Sequence, residues 1–296
     1  MKNKAFQAIH NKPLLLVVVA TLVLFSFVAF AELIGLSRVL DRMFDADAIW
    51  LLLIIGAQSI AYWAYVIPYK HIFKLSYKEA TRHSFAGFHP TLPRGGFNYD
   101  VVTQCKIGKK ARAYYLGLWE YAALAPAIMV AAIYAYIHGA VPAPLSLPWI
   151  IGVPAGSIIF ATAVLLRKRF TRFPKMHKLL EFMLDMLRQQ SPREIFWLMG
   201  GMIIYWTGEI FALWGALQLF HVSLGWFELL IAYGTGYVVS RRSLPLGGAG
   251  LVLVGLALSL HWVGAALSVT LLVALAYQVF NLLMPVLYRR LAGALA

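Results

Sequence analysis

The sequence predicts an all-α integral membrane protein, on the strength of three observations. Of its 296 residues, 61% are hydrophobic and only 13% are charged, and the mean hydropathy of +0.74 is far from that of soluble domains. Apolar runs recur along the chain, and their length is close to that needed to cross a hydrocarbon core, about 20 residues. A short phrase containing proline and paired glycines interrupts the apolar sequence twice. We therefore expect about six full spans plus two re-entrant helical hairpins, arranged as an inverted-topology repeat.

Six apolar runs are long enough to be full spans, with ends that are expected to shift by a few residues. They cover residues 13–31, 49–68, 112–137, 147–166, 195–220 and 264–288. The first run also imitates a secretory signal peptide, because lysines precede it and Ala29-Phe30-Ala31 resembles a cleavage site. It is longer than a usual signal core, so we expect it to be retained as the first span.

The repeated phrase is TLPRGG at residues 91–96 and SLPLGG at residues 243–248, an offset of 243 − 91 = 152 residues. Proline removes a helical hydrogen bond and the glycine pair loosens the backbone, so both phrases should be turns. At membrane depth such turns are tolerated only inside protein or beside a wet cavity. The phrases therefore predict re-entrant hairpins at residues 71–111 and 226–260.

Each half of the chain is then predicted to contain two spans, a hairpin and a third span, in that order. The first membrane repeat covers residues 1–140 and the second covers residues 141–296. Because the first repeat crosses the membrane three times, the second begins on the opposite side. The two halves are thus expected to be related by inversion, an architecture in which broken helices meet near the midplane.

The distribution of basic residues indicates how the chain is oriented in the membrane. The formal net charge is +14, but the lysines and arginines lie between the apolar runs rather than on one soluble patch, so a nucleic-acid partner is not expected. If neither hairpin crosses fully, most basic residues share one side with both termini, while Arg38 and Arg42 lie opposite beside acidic residues. The positive-inside rule then places both termini in the cytoplasm.

The basic loop between the fourth and fifth spans carries an amphipathic pattern over residues 174–190. Its apolar residues are at positions 176, 179, 180, 183, 184 and 187, which predicts a helix lying on the inner leaflet. A simple positively charged anchor between two spans is the first interpretation of this segment. The second is that it gathers anionic headgroups beside a cavity.

The glycine pairs of the two phrases are the first candidate binding elements. Gly95-Gly96 and Gly247-Gly248 would open half-helices whose free N–H groups and positive dipole ends face an anion. Arg94, Arg241 and Arg242 lie on or beside the same turns, where a guanidinium can hold two phosphate oxygens. The alternative is that the loops are shallow and these arginines snorkel to an interface.

Two acidic residues within predicted spans are further candidates. Glu209 falls in the middle of the fifth span, and an intramembrane ionisable residue is by default a functional hypothesis, with Arg241 or Arg242 as its expected partner. A static ion pair is the alternative. Glu120 lies about two turns into the third span, where contact with Lys109 or Arg94 would fix the first hairpin.

Several function classes lack support in the sequence. The single cysteine, Cys105, excludes an internal disulfide and a multi-cysteine metal site. The histidines are not paired at ligand spacing, and no nucleotide-binding loop with Lys-Ser or Lys-Thr occurs. We therefore expect neither an enzyme nor a cofactor or metal site. The sequence carries no signal for oligomeric state.

The chain resembles the lysylphosphatidylglycerol synthase membrane-domain family, whose members include stand-alone flippase-like proteins of bacteria and archaea. The likeness runs from about residue 13 to 290 and is clearest at LPRGG and from LPLGGAG through ALAYQVFNLLMPVLYRR. It implies inverted repeats with re-entrant helices, a location in the cell membrane, and the transfer of anionic or modified lipids between leaflets. Two places depart from the family pattern, because Leu253 and Gln278 stand where an acidic residue and an arginine are usual.

The expected function is a lipid transporter that moves an anionic, phosphate-bearing headgroup, on a phospholipid or a polyprenyl phosphate, through a cavity between the two hairpins. A membrane scaffold for a separate lipid- or glycan-modifying enzyme is the first alternative. A small-anion carrier is the second. The sequence leaves the lipid, the direction and the energy source open.

Overall fold

The computed structural model describes residues 13–87, 107–167, 169, 174–239 and 249–294. Every regular element within these ranges is helical. The α-helices are α1 (Pro13–Ile34), α2 (Leu36–Phe44), α3 (Trp50–Phe73), α4 (Tyr77–Gly87), α5 (Ile107–Ile137), α6 (Ala143–Leu165), α7 (Pro174–Arg188), α8 (Pro192–Leu219), α9 (Trp226–Ala232), α10 (Ala249–Trp262) and α11 (Leu267–Ala294). A π-helix, Tyr233–Val239, continues α9.

Helices occur at all six predicted spans, and four of them are long and apolar enough to cross a membrane on their own. These four are α3, the part of α5 from Tyr115 to Ile137, α6 and α8. The pair α1 and α2 bends by 108° at Gly35, where φ is +105°, and would be a fifth span if counted as one. The chain is thus an all-helical protein with the helices of a multi-pass membrane protein.

The centre of the fold is an antiparallel pair formed by α3 and α8. Gly201, Gly208 and Gly215 are spaced by seven residues, so they lie on one face of α8. This face rests directly on α3, because a Cβ atom at Gly208 would lie 2.6 Å from the Ala57 carbonyl oxygen and 2.9 Å from the Ala61 Cβ. Small residues let membrane helices approach this closely, since dispersion contacts replace the hydrophobic effect there.

The start of α8 is fixed by a capping box. The Ser191 hydroxyl accepts a hydrogen bond from the Glu194 N–H at 3.2 Å, and the Glu194 carboxylate accepts one from the Ser191 N–H at 2.8 Å. Two N–H groups that have no partner within the helix are satisfied in this way. The cap orients the helix that carries Glu209.

The predicted second hairpin is described except for its tip. The Ser259 hydroxyl of α10 donates to the Ala232 carbonyl of α9 at 2.9 Å, and four residues further along, Gly236 packs against Leu256 and Ser259. Residue numbers rise on one arm as they fall on the other, so the arms are antiparallel. The tip, residues 240–248, lies outside the described residues.

Both ends of this hairpin lie at one end of the molecule. A crevice of about 540 Å³ is lined by Phe220 to Ser223, which precede α9, by Gly264 to Ala266, which follow α10, and by Val269 at the start of α11. Arg42 of α2 and Asp45 of the α2–α3 connection complete the lining. Of the predicted first hairpin, α4 is described, whereas residues 88–106 lie outside the described residues. The hairpins and the inverted repeat therefore stay predictions.

The predicted amphipathic helix at residues 174–190 is confirmed as a helix by α7. It is tied to the end of α6 by an ion pair between Arg167 Nε and Glu181 Oε1 at 2.9 Å. Met183 lines an apolar crevice of about 320 Å³ with Trp119 of α5 and Phe160 of α6. The α6 helix is otherwise peripheral, because none of its most apolar stretch is buried within the chain.

Candidate functional site

Two of the predicted site residues, Glu120 and Glu209, are described and both are buried. Glu209 is fully inaccessible and Glu120 is 2% exposed. The other predicted site residues are outside the described residues, namely Arg94, Gly95, Gly96, Arg241, Arg242, Gly247 and Gly248. The predicted phosphate site therefore stays a prediction, and the described site is built around the two carboxylates.

Glu209 lies on α8 one residue after Gly208, at the level where α8 touches α3. Its Oε2 atom accepts a hydrogen bond of 2.5 Å from the Tyr277 hydroxyl of α11. The Tyr277 oxygen is 3.5 Å from the hydroxyl of Tyr233, the first residue of the π-helix. A short bond to a carboxylate is stronger than a bond between neutral groups, so Tyr277 fixes one side of the carboxylate.

Glu120 lies on α5 and has a corresponding partner. Its Oε1 atom accepts a hydrogen bond of 2.7 Å from the Tyr65 hydroxyl of α3. The indole N–H of Trp206, on α8, donates to the Glu120 carbonyl oxygen at 3.0 Å. Glu120 thereby joins α5 to both helices of the central pair.

A chain of aromatic rings connects the two carboxylates. The ring of Tyr65 lies 5.0 Å from that of Tyr205, which lies 4.9 Å from Trp206. Trp206 lies 6.1 Å from Tyr233, which lies 6.3 Å from Tyr277. We call this set the Glu–Tyr network; its members are Glu120, Tyr65, Tyr205, Trp206, Tyr233, Tyr277 and Glu209.

The physical reason for this composition is the cost of burying polar groups in a membrane helix bundle. An isolated ionised carboxylate is strongly disfavoured in a medium of low dielectric constant. Tyrosine supplies a hydroxyl donor on an apolar ring, so it can pack in the core and still satisfy a carboxylate oxygen. The network consequently holds two acids between α3, α5, α8, α11 and the π-helix.

The π-helix places Tyr233 at this network. Its wider turn is rare, is frequently found at functional sites, and changes the hydrogen-bonding register of the arm. Neighbouring side chains support the arm on both sides, since the Trp149 indole N–H donates to the Thr235 hydroxyl at 3.0 Å and Ser259 bonds to the Ala232 carbonyl. Tyr233 therefore connects Glu209 and Tyr277 to the first arm of the predicted second hairpin.

Two buried glutamines belong to the same region of the helices. Gln58 of α3 is fully inaccessible, and neither atom of its amide has a hydrogen-bond partner within the part of the chain that the structure describes. Gln278, next to Tyr277, is 6% exposed, and its Oε1 atom likewise has no described partner. Gln278 occupies the place where the family resemblance leads us to expect an arginine.

The tyrosine partners were missed by sequence reasoning. Tyrosines are frequent in this chain, and those of the network come from four separate segments with no common spacing, so no periodic pattern marks them. The predicted cationic partners of the two acids are not tested, because Arg94, Arg241 and Arg242 lie outside the described residues, as does the side chain of Lys109. Gln58 could have been noticed as a polar residue in an apolar span.

Metal binding receives no support from the described part of the chain, in which no three His, Cys, Asp or Glu side chains are placed to hold an ion. No family model matches the chain, and neither a curated protein nor a solved structure matches it. The function is therefore argued from the geometry of the network and of the hairpin beside it.

Proposed function

We propose that the protein is a lipid transporter that moves an anionic, phosphate-bearing headgroup between leaflets while the lipid tails stay in the bilayer. The observation that carries the proposal is the packing of the two described arms of the predicted second hairpin beside buried Glu209. Its arms are antiparallel, and the residues before α9 and after α10 line one crevice at the same end of the molecule.

The length of the arms supports a re-entrant path. The α10 helix has 14 residues, which corresponds to about 21 Å at about 1.5 Å per residue. The hydrocarbon core is about 30 Å thick, so an arm of this length ends inside the membrane. Irregular backbone at that depth is tolerated when it lines a cavity, and the tip would then present Gly247-Gly248 and Arg241-Arg242 to a headgroup.

The register of α3 against α8 supports the inverted repeat. Gly208 packs on Ala57, and the two positions are 208 − 57 = 151 residues apart. The repeated Leu-Pro-x-Gly-Gly phrase gives an independent offset of 152 residues. When two repeats are related by a two-fold axis and a pair of equivalent helices packs across that axis, equivalent residues of the two helices lie opposite each other there. The offset of the repeated phrase predicts such a contact between the second and fifth spans.

The two Tyr–Glu hydrogen bonds support the same symmetry. One joins α3 to α5, which are the second and third predicted spans, through Tyr65 and Glu120. The other joins α8 to α11, which are the fifth and sixth predicted spans, through Glu209 and Tyr277. Each repeat would therefore carry one buried carboxylate between equivalent helices, although the acid and the tyrosine have exchanged helices.

In the proposed mechanism the headgroup binds between the two hairpin tips. Arg94, Arg241 and Arg242 would pair with phosphate oxygens, and the glycines would let backbone N–H groups approach. Glu209 would assist release, because a carboxylate near the second hairpin competes with phosphate for the same cations. Rocking one repeat against the other would then expose the site to each leaflet in turn.

Reconstitution into vesicles tests the proposal. Proteoliposomes containing a fluorescent phosphatidylglycerol, or a fluorescent polyprenyl phosphate, are treated with an impermeant quencher that reports the lipid in the outer leaflet. We expect the protein to make the inner-leaflet pool accessible, and Arg241→Ala to slow this exchange. Arg38→Ala is the matched control, because Arg38 is exposed on α2. Unchanged leaflet distribution for both lipids overturns the proposal. Uptake of inorganic phosphate instead identifies a small-anion carrier.

A membrane scaffold for a separate lipid- or glycan-modifying enzyme is the second candidate function. The observation that favours it is α6, whose apolar surface lacks cover from the rest of the described chain. A scaffold would retain its cellular function in Arg242→Ala and Glu209→Gln, and would lose it when the basic loop at residues 167–172 is neutralised. A transporter gives the opposite pattern, so a complementation assay separates the two.

A further inference from the structure

We infer that Glu209, Gln58 and Tyr277 surround a hydrated proton-binding site, and that movement of the anionic headgroup is coupled to a proton carried by Glu209. The coupling rests on the proposed function, whereas the proton site does not.

The register of the central helix pair places Gln58 at the level of Glu209. Gly208 packs on Ala57 and Ala61 of the antiparallel α3. Gln58 directly follows Ala57, and Glu209 directly follows Gly208. The two polar side chains therefore start from the same depth on neighbouring helices.

The two side chains also lie on the same side of the helix pair. Tyr65 is seven residues after Gln58, and residues seven apart share a helix face. Tyr205 is four residues before Glu209 and so shares its face. The rings of Tyr65 and Tyr205 lie 5.0 Å apart. The faces that carry Gln58 and Glu209 consequently point to the same side of the helix pair.

The buried amide of Gln58 is the observation that indicates bound water between these two faces. Both of its amide atoms are buried without a hydrogen-bond partner among the residues that the structure describes. A buried polar group left in this state is destabilising, and a water molecule with about two to four polar partners usually satisfies it. The amide of Gln58, the Glu209 carboxylate and the Tyr277 hydroxyl are suitable partners for such water.

The chemistry of these groups suits proton binding in both states of Glu209. When Glu209 is ionised, its oxygens accept hydrogen bonds from the Tyr277 hydroxyl and from water. When a hydronium ion transfers its proton, an O–H bond forms on a carboxylate oxygen and a neutral water molecule remains in the site. The new carboxylic acid then needs an acceptor. Because an amide carries both a donor and an acceptor, Gln58 can serve either state through the intervening water.

Among the described residues, the titratable groups whose contacts lead to Glu209 are Tyr277 of α11, which donates to it, and Tyr233 of the π-helix, which lies 3.5 Å from the Tyr277 hydroxyl. Tyr205 of α8, Tyr65 of α3 and Glu120 of α5 lie further along the Glu–Tyr network. Residues 240–248, with Arg241 and Arg242, lie outside the described residues. A proton on Glu209 removes one negative charge beside the second hairpin. By linkage, proton binding and the binding of an anion then strengthen each other.

Infrared difference spectroscopy of the protein in nanodiscs tests the proton site without any lipid transport. A change of pH should produce the carbonyl stretch of a protonated carboxyl group. We expect one component of this band to disappear in Glu209→Gln, to shift in frequency in Tyr277→Phe, and to shift its midpoint pH in Gln58→Leu, while the components of Glu120 and of the exposed carboxyl groups remain. Ser59→Ala is the matched control on α3, because its hydroxyl bonds to the Ile55 carbonyl of the same helix. A band with the same components in Glu209→Gln as in the unaltered protein overturns the proton site.

A second measurement separates coupling from transport. Proteoliposomes with fluorescent phosphatidylglycerol are given an inward or an outward pH gradient. We expect the gradient to change the steady-state leaflet distribution in the unaltered protein and to have no effect in Glu209→Gln. Lipid exchange that is insensitive to the gradient overturns the coupling and leaves the transport proposal standing. A titrating Glu209 band without any lipid exchange overturns the transport proposal and leaves the proton site standing.

Discussion

Tyr277 donates a hydrogen bond of 2.5 Å to Glu209, and both residues are fully inaccessible. The bond joins α11 to the central helix pair at the level of the second hairpin. Since the Tyr277 ring also contacts Tyr233, one bond connects α11, a buried acid and the π-helix. The stability of the bundle and its response to ligands should both depend on it.

Tyr277→Phe should lower the free energy of unfolding, because the Glu209 carboxylate loses a buried donor. A hydrogen bond to a charged group contributes about 1.5–3 kcal/mol. Thermal unfolding in detergent measures the effect, with Tyr136→Phe as the control, because Tyr136 is 50% exposed. Equal destabilisation by both substitutions would show that the Glu209 bond is not important for stability.

Gly208→Ala should destabilise the protein by separating α3 from α8. The added methyl group would meet the backbone of Ala57, which cannot rotate away, and overpacking of a core costs about 1–3 kcal/mol. Gly200→Ala on the same helix is the control, and it should raise stability rather than lower it. No atom lies within 4 Å of a Cβ atom at Gly200, and alanine favours a helix over glycine by up to about 1 kcal/mol. Similar melting temperatures for the two variants would contradict the close contact.

Composition and hydrophobic runs predicted the helical membrane fold because a bilayer requires a high apolar fraction and uninterrupted apolar segments of a certain length. The same signals identified Glu209 and Glu120 as buried acids, since a charge in an apolar run is conspicuous. They could not identify Tyr65 and Tyr277, which look like ordinary aromatic residues of a span. Their role depends on which helices become neighbours, and that is decided by tertiary packing around Gly208 rather than by any local pattern.

The π-helix was also beyond sequence reasoning. Its register is sustained by Ser259 and Trp149, which come from other helices, whereas the local sequence YGTGYVV only permits it. The amphipathic α7, by contrast, was predicted within two residues, because its periodicity is a property of the segment itself.

Ser191→Ala should lower stability by about 1 kcal/mol, because it removes one half of the capping box that starts α8. Ser157→Ala is the matched control, since the Ser157 hydroxyl bonds only to the Val153 carbonyl of its own helix. Chemical denaturation in detergent provides the comparison. If the two variants unfold at the same denaturant concentration, the cap does not hold the start of α8.

The re-entrant path that we propose for the second hairpin predicts a specific labelling pattern. In a Cys105→Ser background, Ser223→Cys and Ala266→Cys should react with a bulky, impermeant maleimide from one side of the membrane, because both flank the same crevice. Lys178→Cys, on exposed α7, should react from the other side. Ser243→Cys, at the tip, should not react from the side that labels Lys178→Cys, because arms of about 21 Å end short of that surface. Labelling of the tip together with Lys178→Cys would mean that both arms cross fully, and the transport proposal would lose the hairpin on which it rests.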